Sequence, residues 1–394
     1  MHCSEPETLQ PMKILTLLLF LVSLGTCLYV YFGYPLLLWL VSRIRSRPVR
    51  RRPITPPVTL VIAAFNEEAI IAAKLENSLA LDYPSEELEI VVVSDGSTDS
   101  TDEIVRGFAH AGVHLVSRPR EGKLRALSAG VDRAGGDIVI LTDANSFLEP
   151  DSLALLVENF ADPEVGGVCG NKKYLSADGG DSTAEGEGLY WRYDKWQKKL
   201  ESSIGSIFAA DGAFYAIRKD LFVTVDDPAQ ADDIAISARV VLQGFRLLYE
   251  PAAVAWEEAP REGRKEFRRK IRVVNHTVRA LLGLRGGLWT SGFYSLELLS
   301  HKLARYFVPF TLIALLITNL ILIDEHLLFV AFLVAQLLFY LLAIAGLLLR
   351  SHRLGQVRLL SVPYFFTLVN GAALLGMLSV CKGERRATWK PRDN

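Results

Sequence analysis

Residues 14–42, ILTLLLFLVSLGTCLYVYFGYPLLLWLVS, contain no charged side chain. A transmembrane helix needs about 20 consecutive apolar residues, so this run is long enough to span a bilayer. A cleaved signal peptide has a shorter apolar core and a small-residue cleavage site, so the segment reads as a retained anchor. Arg43, Arg45, Arg47, Arg50, Arg51 and Arg52 follow it, whereas its other flank has only Lys13, near Glu5 and Glu7. Cytoplasmic flanks carry the excess of Lys and Arg, which predicts an external amino terminus and a cytoplasmic chain from residue 43 onward. Arginines abutting a span rest on anionic lipid headgroups, and a nucleic-acid patch is set aside.

Three more apolar runs, 307–323, 327–349 and 359–380, lie near the other end. Each is long enough to span, the first only just. The last contains Pro363 and Asn370-Gly371, which predict a break into a re-entrant or surface-lying pair. Three unbroken spans would carry Lys382, Arg385, Arg386, Lys390 and Arg392 outward, against the charge rule, so a cytoplasmic carboxyl terminus is expected. The expected setting is a multi-pass inner or plasma membrane protein. Cys3, Cys27, Cys169 and Cys381 are scattered and indicate neither a disulfide framework nor a zinc site.

Between these ends the pattern changes. Pro53, Pro56 and Pro57 form a stiff linker, after which apolar runs at 58–64, 88–94, 113–117 and 137–142 alternate with amphipathic helical stretches. Ser100 and Glu103 form a capping box at the start of one of them. Leu153, Leu156, Val157 and Phe160 recur at helical spacing in another. Near-continuous apolar strands alternating with helices predict an α/β fold, a mostly parallel Rossmann-like sheet covered on both faces. The expected division is an anchor with its basic flank over 1–52, a catalytic domain over 53–261, membrane-surface helices over 262–306 and a membrane region over 307–394. The third rests on the basic, apolar-striped REGRKEFRRKIRVVNHTVRALLGLRG and on LELLSHKLARYF at 296–307.

Ligands of such sheets bind beyond the carboxyl ends of the strands. Those ends read Phe65-Asn66-Glu67, Asp95-Gly96-Ser97 and Asp143-Ala144-Asn145. Asp143 and Asn145, one residue apart, suit a divalent cation completed by phosphate and water, although an Asx turn would use the same residues. Gly122-Lys123 at a helix start suits a phosphate. No G-x-G-x-x-G follows the first strand, which counts against a dinucleotide oxidoreductase. Asp232 and Asp233 open a helix, where acids complement the dipole; adjacent carboxylates also repel, which can leave one ready to take a proton. Arg268, Arg269, Lys270 and Arg272 suit lipid contact or catalysis.

In order and spacing, VIAAFNEE (61–68), LALDYP (79–84), VVVSDGSTDST, GKLRAL, LTDAN, FAADGAFYAIRKDL (208–221), ADD (231–233) and EFRRK (266–270) resemble the family 2 glycosyltransferases. These are inverting enzymes of GT-A fold that include cellulose, chitin, hyaluronan and poly-N-acetylglucosamine synthases. The resemblance covers residues 58–272 and, in layout, the flanking helices.

It implies a nucleotide-sugar donor, expected to be a UDP-sugar, a saccharide or lipid-linked acceptor, and Mg2+ or Mn2+. Ala63, Glu67 and Asp95 would hold base and ribose, and Lys123 would lie near the nucleotide or diphosphate. Asp143 and Asn145 match the D-x-D metal motif. Asp233 matches the base that deprotonates the acceptor hydroxyl, and residues 208–213 match the acceptor-site segment. Glu266, Arg269 and Lys270 fall on Q-x-x-R-W, whose arginine meets the diphosphate. Asn145 replaces an acid, and Glu266 and Lys270 replace Gln and Trp. Loss of the Trp, which stacks on acceptor sugar in processive synthases, counts against polymer synthesis and leaves sugar transfer. Two alternatives stand beside single transfer: a processive synthase, and an inactive nucleotide-sugar sensor or scaffold.

Overall fold

The strand β1 (Val58–Ala64) is buried along its whole length. Its side chains alternate between two cores, as the period of two requires. Val61 and Ala63 enter one, while Leu60, Ile62 and Ala64 enter the other. The computed structural model describes residues 9–175, 182–225, 227–258, 263–288, 292–350 and 352–385. Around β1 it places β2 (Leu88–Asp95), β3 (Val113–Arg118), β4 (Ile138–Asp143), β5 (Phe147–Leu148), β6 (Val165–Leu175), β7 (Phe214–Arg218) and β8 (Arg246–Glu258) in one sheet of order β3-β2-β1-β4-β7-β6-β8-β5.

β3, β2, β1 and β4 are mutually parallel. β7 then runs antiparallel to both β4 and β6, β8 lies parallel to β6, and β5 closes the edge antiparallel to β8. Of the eight strands described, six therefore run the same way and only β7 and β5 reverse, so the sheet is mostly parallel as expected, with mixed pairing in its second half. One face is covered by the helix Lys123–Arg133 through Leu124, Leu127 and Val131. Gly130 permits that approach, since a Cβ there would stand 2.3 Å from Val61 Cγ1. The other face is covered by Ile71–Leu79 and Ser152–Val157, through Ile71, Leu75, Leu153, Leu156 and Val157.

Among the described residues four helices are long and apolar enough to cross a membrane: Gln10–Ile44, Phe293–Ile321, Leu327–Leu348 and Arg358–Cys381. Two details depart from expectation. Segment 296–307 does not lie apart on a surface; it begins the Phe293–Ile321 helix and buries Glu297, Ser300 and His301. Arg358–Cys381 runs unbroken through Pro363 and Asn370-Gly371. Asn370 Nδ2 donates to Phe366 O four residues back, so its amide is satisfied within the helix. Gly376 admits Val274 of the amphipathic Gly263–Gly283 helix, with 2.6 Å between a built Cβ and Val274 Cβ. Cys3, Glu5, Glu7, Arg386, Lys390 and Arg392 lie outside the described residues.

Candidate active site

Parallel β1, β2 and β4 stop at one rim of the sheet. Because β7 is antiparallel, its start arrives at the same rim, with Phe214 opposite Thr142. The segment 208–213 therefore crosses directly over the end of β4. The late part of β8 reaches the rim too, bringing Glu257 into the field of Asp143.

The centre is one lysine between two acids. Lys123 Nζ lies 2.6 Å from Asp143 Oδ1 and 2.8 Å from Asp232 Oδ2. A Cβ built on Gly212 would stand 3.4 Å from that ammonium and 3.8 Å from Asp233 Cβ, so the 208–213 backbone lies in ordinary contact range of both. Burial opposes the lysine's charge, but Asp143 and Asp232 overcome it and hold the pKa above the ordinary value. Asp143 keeps 29% of its side chain exposed. Its pKa is raised, chiefly by burial, with Lys123 opposing and Glu257 and Asp232 reinforcing the shift. Asp233 is pushed up to about 6 by burial and by the neighbouring charges of Asp232 and Asp211.

Among the described residues no three His, Cys, Asp or Glu side chains form a closed metal cage. Asp143 and Asn145 nonetheless sit together beyond β4, and Asn145 has no side-chain hydrogen bond among the described residues. A carboxylate with a nearby amide oxygen fits a hard divalent cation that draws its other ligands from phosphate and water.

Asp95 is 1% exposed. Its carboxylate accepts hydrogen bonds from the backbone N–H of Glu121 at 2.7 Å and of Gly122 at 3.0 Å, fixing the turn that presents Lys123. Gly122 has φ +98°, a conformation that suits glycine. The rest of the polar run after β2 grips the loop after β1. Asn66 N donates to Ser97 Oγ, Glu67 N to Thr101 Oγ1 and Glu68 N to Asp99 Oδ2. Asn66 Oδ1 accepts from Thr98 N, with Asn66 itself at φ +53°. Ala63 lies in β1 level with Asp143. The expected capping box is not formed: Ser100 makes no side-chain cap, and Asp99 Oδ1 accepts from both Thr101 N and Thr101 Oγ1.

Arg269 lies on the amphipathic Gly263–Gly283 helix. Its guanidinium grips Glu266 through two hydrogen bonds of 2.7 Å, and Lys270 Nζ approaches the same carboxylate at 2.8 Å. Burial works against the Glu266 charge, yet these cations hold its pKa down to about 2. Lys270 lies 5.1 Å over the Phe365 ring, on the last membrane-length helix.

Sequence reasoning missed several residues here. Lys74 is fully buried beneath the Asp143–Ser146 turn, where it donates to Ser146 O and Thr142 Oγ1. Burial lowers its pKa to about 7, although Asp143 and Glu257 oppose the shift. Its signal was available: Ile71, Lys74, Leu75 and Ser78 share one helical face. Asp211 pairs with Lys172 at 3.0 Å and is held down to about 2; burial opposes this, and Lys172 with Lys198 outweighs it.

Phe208, at the head of the crossing segment, is held from the membrane side. Its N–H donates to Glu201 Oε2 at 3.4 Å, and its carbonyl accepts from Tyr294 OH at 2.7 Å. The His301 ring packs tilted against it with centroids 4.3 Å apart, and Lys302 lies over it at 4.8 Å. Glu201 Oε1 also accepts from Tyr34 OH at 2.7 Å and lies 2.5 Å from His301 Nδ1.

Comparison with known proteins agrees with this architecture. The family described as "Glycosyltransferase like family 2" matches residues 56–276. The poly-beta-1,6-N-acetyl-D-glucosamine synthase of Staphylococcus aureus is 31% identical over 212 residues, 52% of this chain and 50% of that protein. The chain thus spans about half the length of that curated relative. A mannosyltransferase of Pyrobaculum calidifontis, solved with GDP-Man and Mn2+, shares the fold at TM-score 0.70 and 24% identity, over 93% of this chain and 99% of that one. With more than half its length matched, the chain belongs to glycosyltransferase family 2.

Proposed function

We propose that this chain transfers a sugar, with inversion, from a nucleotide donor to a saccharide or lipid-linked acceptor, serving cell-envelope or exopolysaccharide synthesis from the cytoplasmic face of a membrane. A UDP-sugar is the proposed donor. The observation that carries the reading is the Asp143–Lys123–Asp232 triplet with Asp233 beside it under Gly212. It gathers a cation for phosphate, a carboxylate for metal and a carboxylate of raised pKa within one rim.

Asp143 and Asn145 would hold Mg2+ or Mn2+, which supplies charge stabilisation for a departing nucleoside diphosphate. Lys123 would exchange an acid for diphosphate oxygen, and Arg269 would add a second cation. Asp95 keeps the Glu121–Lys123 turn in place, while Glu67 and Ala63 border the space for ribose and base. Asp233, ionised above about pH 6, would take the acceptor hydroxyl's proton as that oxygen attacks the sugar carbon. Attack opposite the leaving diphosphate inverts the centre.

Lys270 favours single transfer over chain extension. Where processive relatives place a tryptophan against sugar, this cation is engaged by Glu266 and Phe365. The test uses full-length chain in proteoliposomes with labelled UDP-glucose, UDP-N-acetylglucosamine and GDP-mannose. Release of nucleoside diphosphate with one sugar per acceptor is expected. Long product chains would support a processive synthase. Nucleotide-sugar binding without diphosphate release would support a sensor and overturn the proposal.

A further inference from the structure

Away from the strand-end rim, a cavity of about 670 Å3 opens beside the starts of β6 and β8. That volume lies within the range of small-molecule sites. One wall carries Arg45 and Arg47, just past the end of the Gln10–Ile44 helix. Another carries Phe293 and Glu297, in the first turns of the Phe293–Ile321 helix. Two membrane-length helices thus have their ends at this cavity, which sets it at the level of lipid headgroups.

The lining has both signs of charge. Arg45 is exposed and has no side-chain partner among the described residues. Arg47 Nη2 donates to Glu164 Oε2 at 2.9 Å, at the open edge. Deeper in, Glu297 is 1% exposed, and its Oε1 has no hydrogen-bond partner among the described residues. A buried carboxyl oxygen left alone is costly and calls for a donor. Phe245 and Phe293 give the cavity an apolar side that would accept acyl chain.

We infer that this cavity is a site for a phospholipid bearing a primary ammonium, phosphatidylethanolamine in chemical class. Its phosphate pairs with Arg45 and Arg47, and its ammonium donates to Glu297. The arginines alone would suit any phosphate; the unpartnered Glu297 Oε1 is the contact that selects the headgroup, and an ammonium is a stronger donor to it than a glycerol hydroxyl. The ammonium supplies three N–H donors. The trimethylated headgroup of phosphatidylcholine supplies none and is bulkier. The inference rests on membrane insertion and is independent of which sugar or acceptor the active site takes.

The test is native mass spectrometry of full-length, delipidated chain titrated with phosphatidylethanolamine, phosphatidylcholine and phosphatidylglycerol of identical acyl chains. The ethanolamine lipid is expected to bind about tenfold more tightly than the others, the size of one charge-assisted hydrogen bond. Glu297→Gln should remove that preference while leaving phosphatidylcholine binding unchanged. Arg45→Ala with Arg47→Ala should weaken all three lipids. Should Glu297→Gln fail to fold, the wild-type chain is titrated with lipids carrying one, two and three N-methyl groups, and affinity should fall with each methyl. Equal or tighter binding of phosphatidylglycerol, or no dependence on N-methylation, overturns the inference.

Discussion

The proposed donor half of the rim and its proposed acceptor half are built by different means. In the first, contacts join residues near in sequence. Asp95 to Glu121, Asn66 to Ser97 and Glu67 to Thr101 span 26, 31 and 34 residues. In the second, Phe208 is fixed by Tyr294 86 residues away, and Glu201 by His301 and Tyr34 at 100 and 167. The proposed donor half is thus a product of consecutive strand–helix units, while the proposed acceptor segment takes its position from helices of membrane length. Damage to the first should act on donor and metal; damage to the second should act on transfer while donor binding persists.

Asp143→Ala gives the largest effect. Removing the proposed metal carboxylate would take away charge stabilisation of the leaving group and leave Lys123 with Asp232 alone. A loss of about a thousandfold or more is expected in nucleoside diphosphate release. EDTA should silence the wild type, with Mg2+ or Mn2+ restoring it. Full activity in EDTA would remove the metal from the scheme.

Asp233→Asn sharpens the contrast. It should slow transfer by about a hundredfold to ten-thousandfold while donor affinity, measured by calorimetry, stays near wild type. Since the carboxylate must be ionised to accept a proton, the wild-type rate should fall as pH drops below about 6. Asp232→Asn should cost less transfer. Equal losses would mean that the two acids act as a unit, and a wild-type rate for Asp233→Asn would end the base assignment.

Legibility in the sequence follows the same divide. β1, β2 and β4 stand out as apolar runs because both faces are buried, and their polar ends show where the rim lies. β6 gave no such signal. Gly166, Gly167 and Gly170 interrupt it, because a Cβ at each would meet Leu221, Leu247 or Phe214 within 2.4–2.7 Å. Close packing, the reason that strand is buried, removed the β-branched residues by which a strand is recognised. Asp143, Lys123 and Asp232 were each readable as motifs, but their meeting on one ammonium was not. Nor was the partner of Asp95: its acid reads as a ligand group and spends both oxygens on backbone N–H groups. Asn370-Gly371 misled for a related reason, since a pair that breaks an isolated helix can serve as a packing notch beside Phe267.

Tyr294→Phe tests the membrane-side hold on the acceptor segment with one atom. It deletes the hydrogen bond to Phe208 O and leaves the ring in place. One such bond is worth about 1 kcal/mol, so amides of residues 208–213 should exchange roughly fivefold faster in nanodiscs. Transfer should slow several-fold with donor affinity unchanged. Unaltered exchange would show that Glu201 and the packed His301 ring suffice. A fall in donor affinity would join the two halves that the structure separates.

The smallest effect tests the loop that joins β2 to its helix. The sequence presents Ser100 as the cap, whereas Asp99 makes the capping bonds to Thr101 and also accepts from Glu68 N. Ser100→Ala should therefore change thermal stability by less than about 0.5 kcal/mol, as an exposed surface change does. Asp99→Ala should cost about 1 kcal/mol, the usual worth of a cap. The pH dependence has a definite sign. Burial opposes the charge of Asp99, but the Thr101 and Glu68 donors outweigh it and lower the pKa below its ordinary value. The stabilisation is then fully present above about pH 4 and is lost as pH falls through the lowered value. Melting curves of the two variants from neutral to acidic pH should converge for Asp99→Ala and wild type, because protonation removes from the wild type what the mutation removes at every pH. A Ser100→Ala loss as large as that of Asp99→Ala would restore the capping box that the hydrogen bonds exclude.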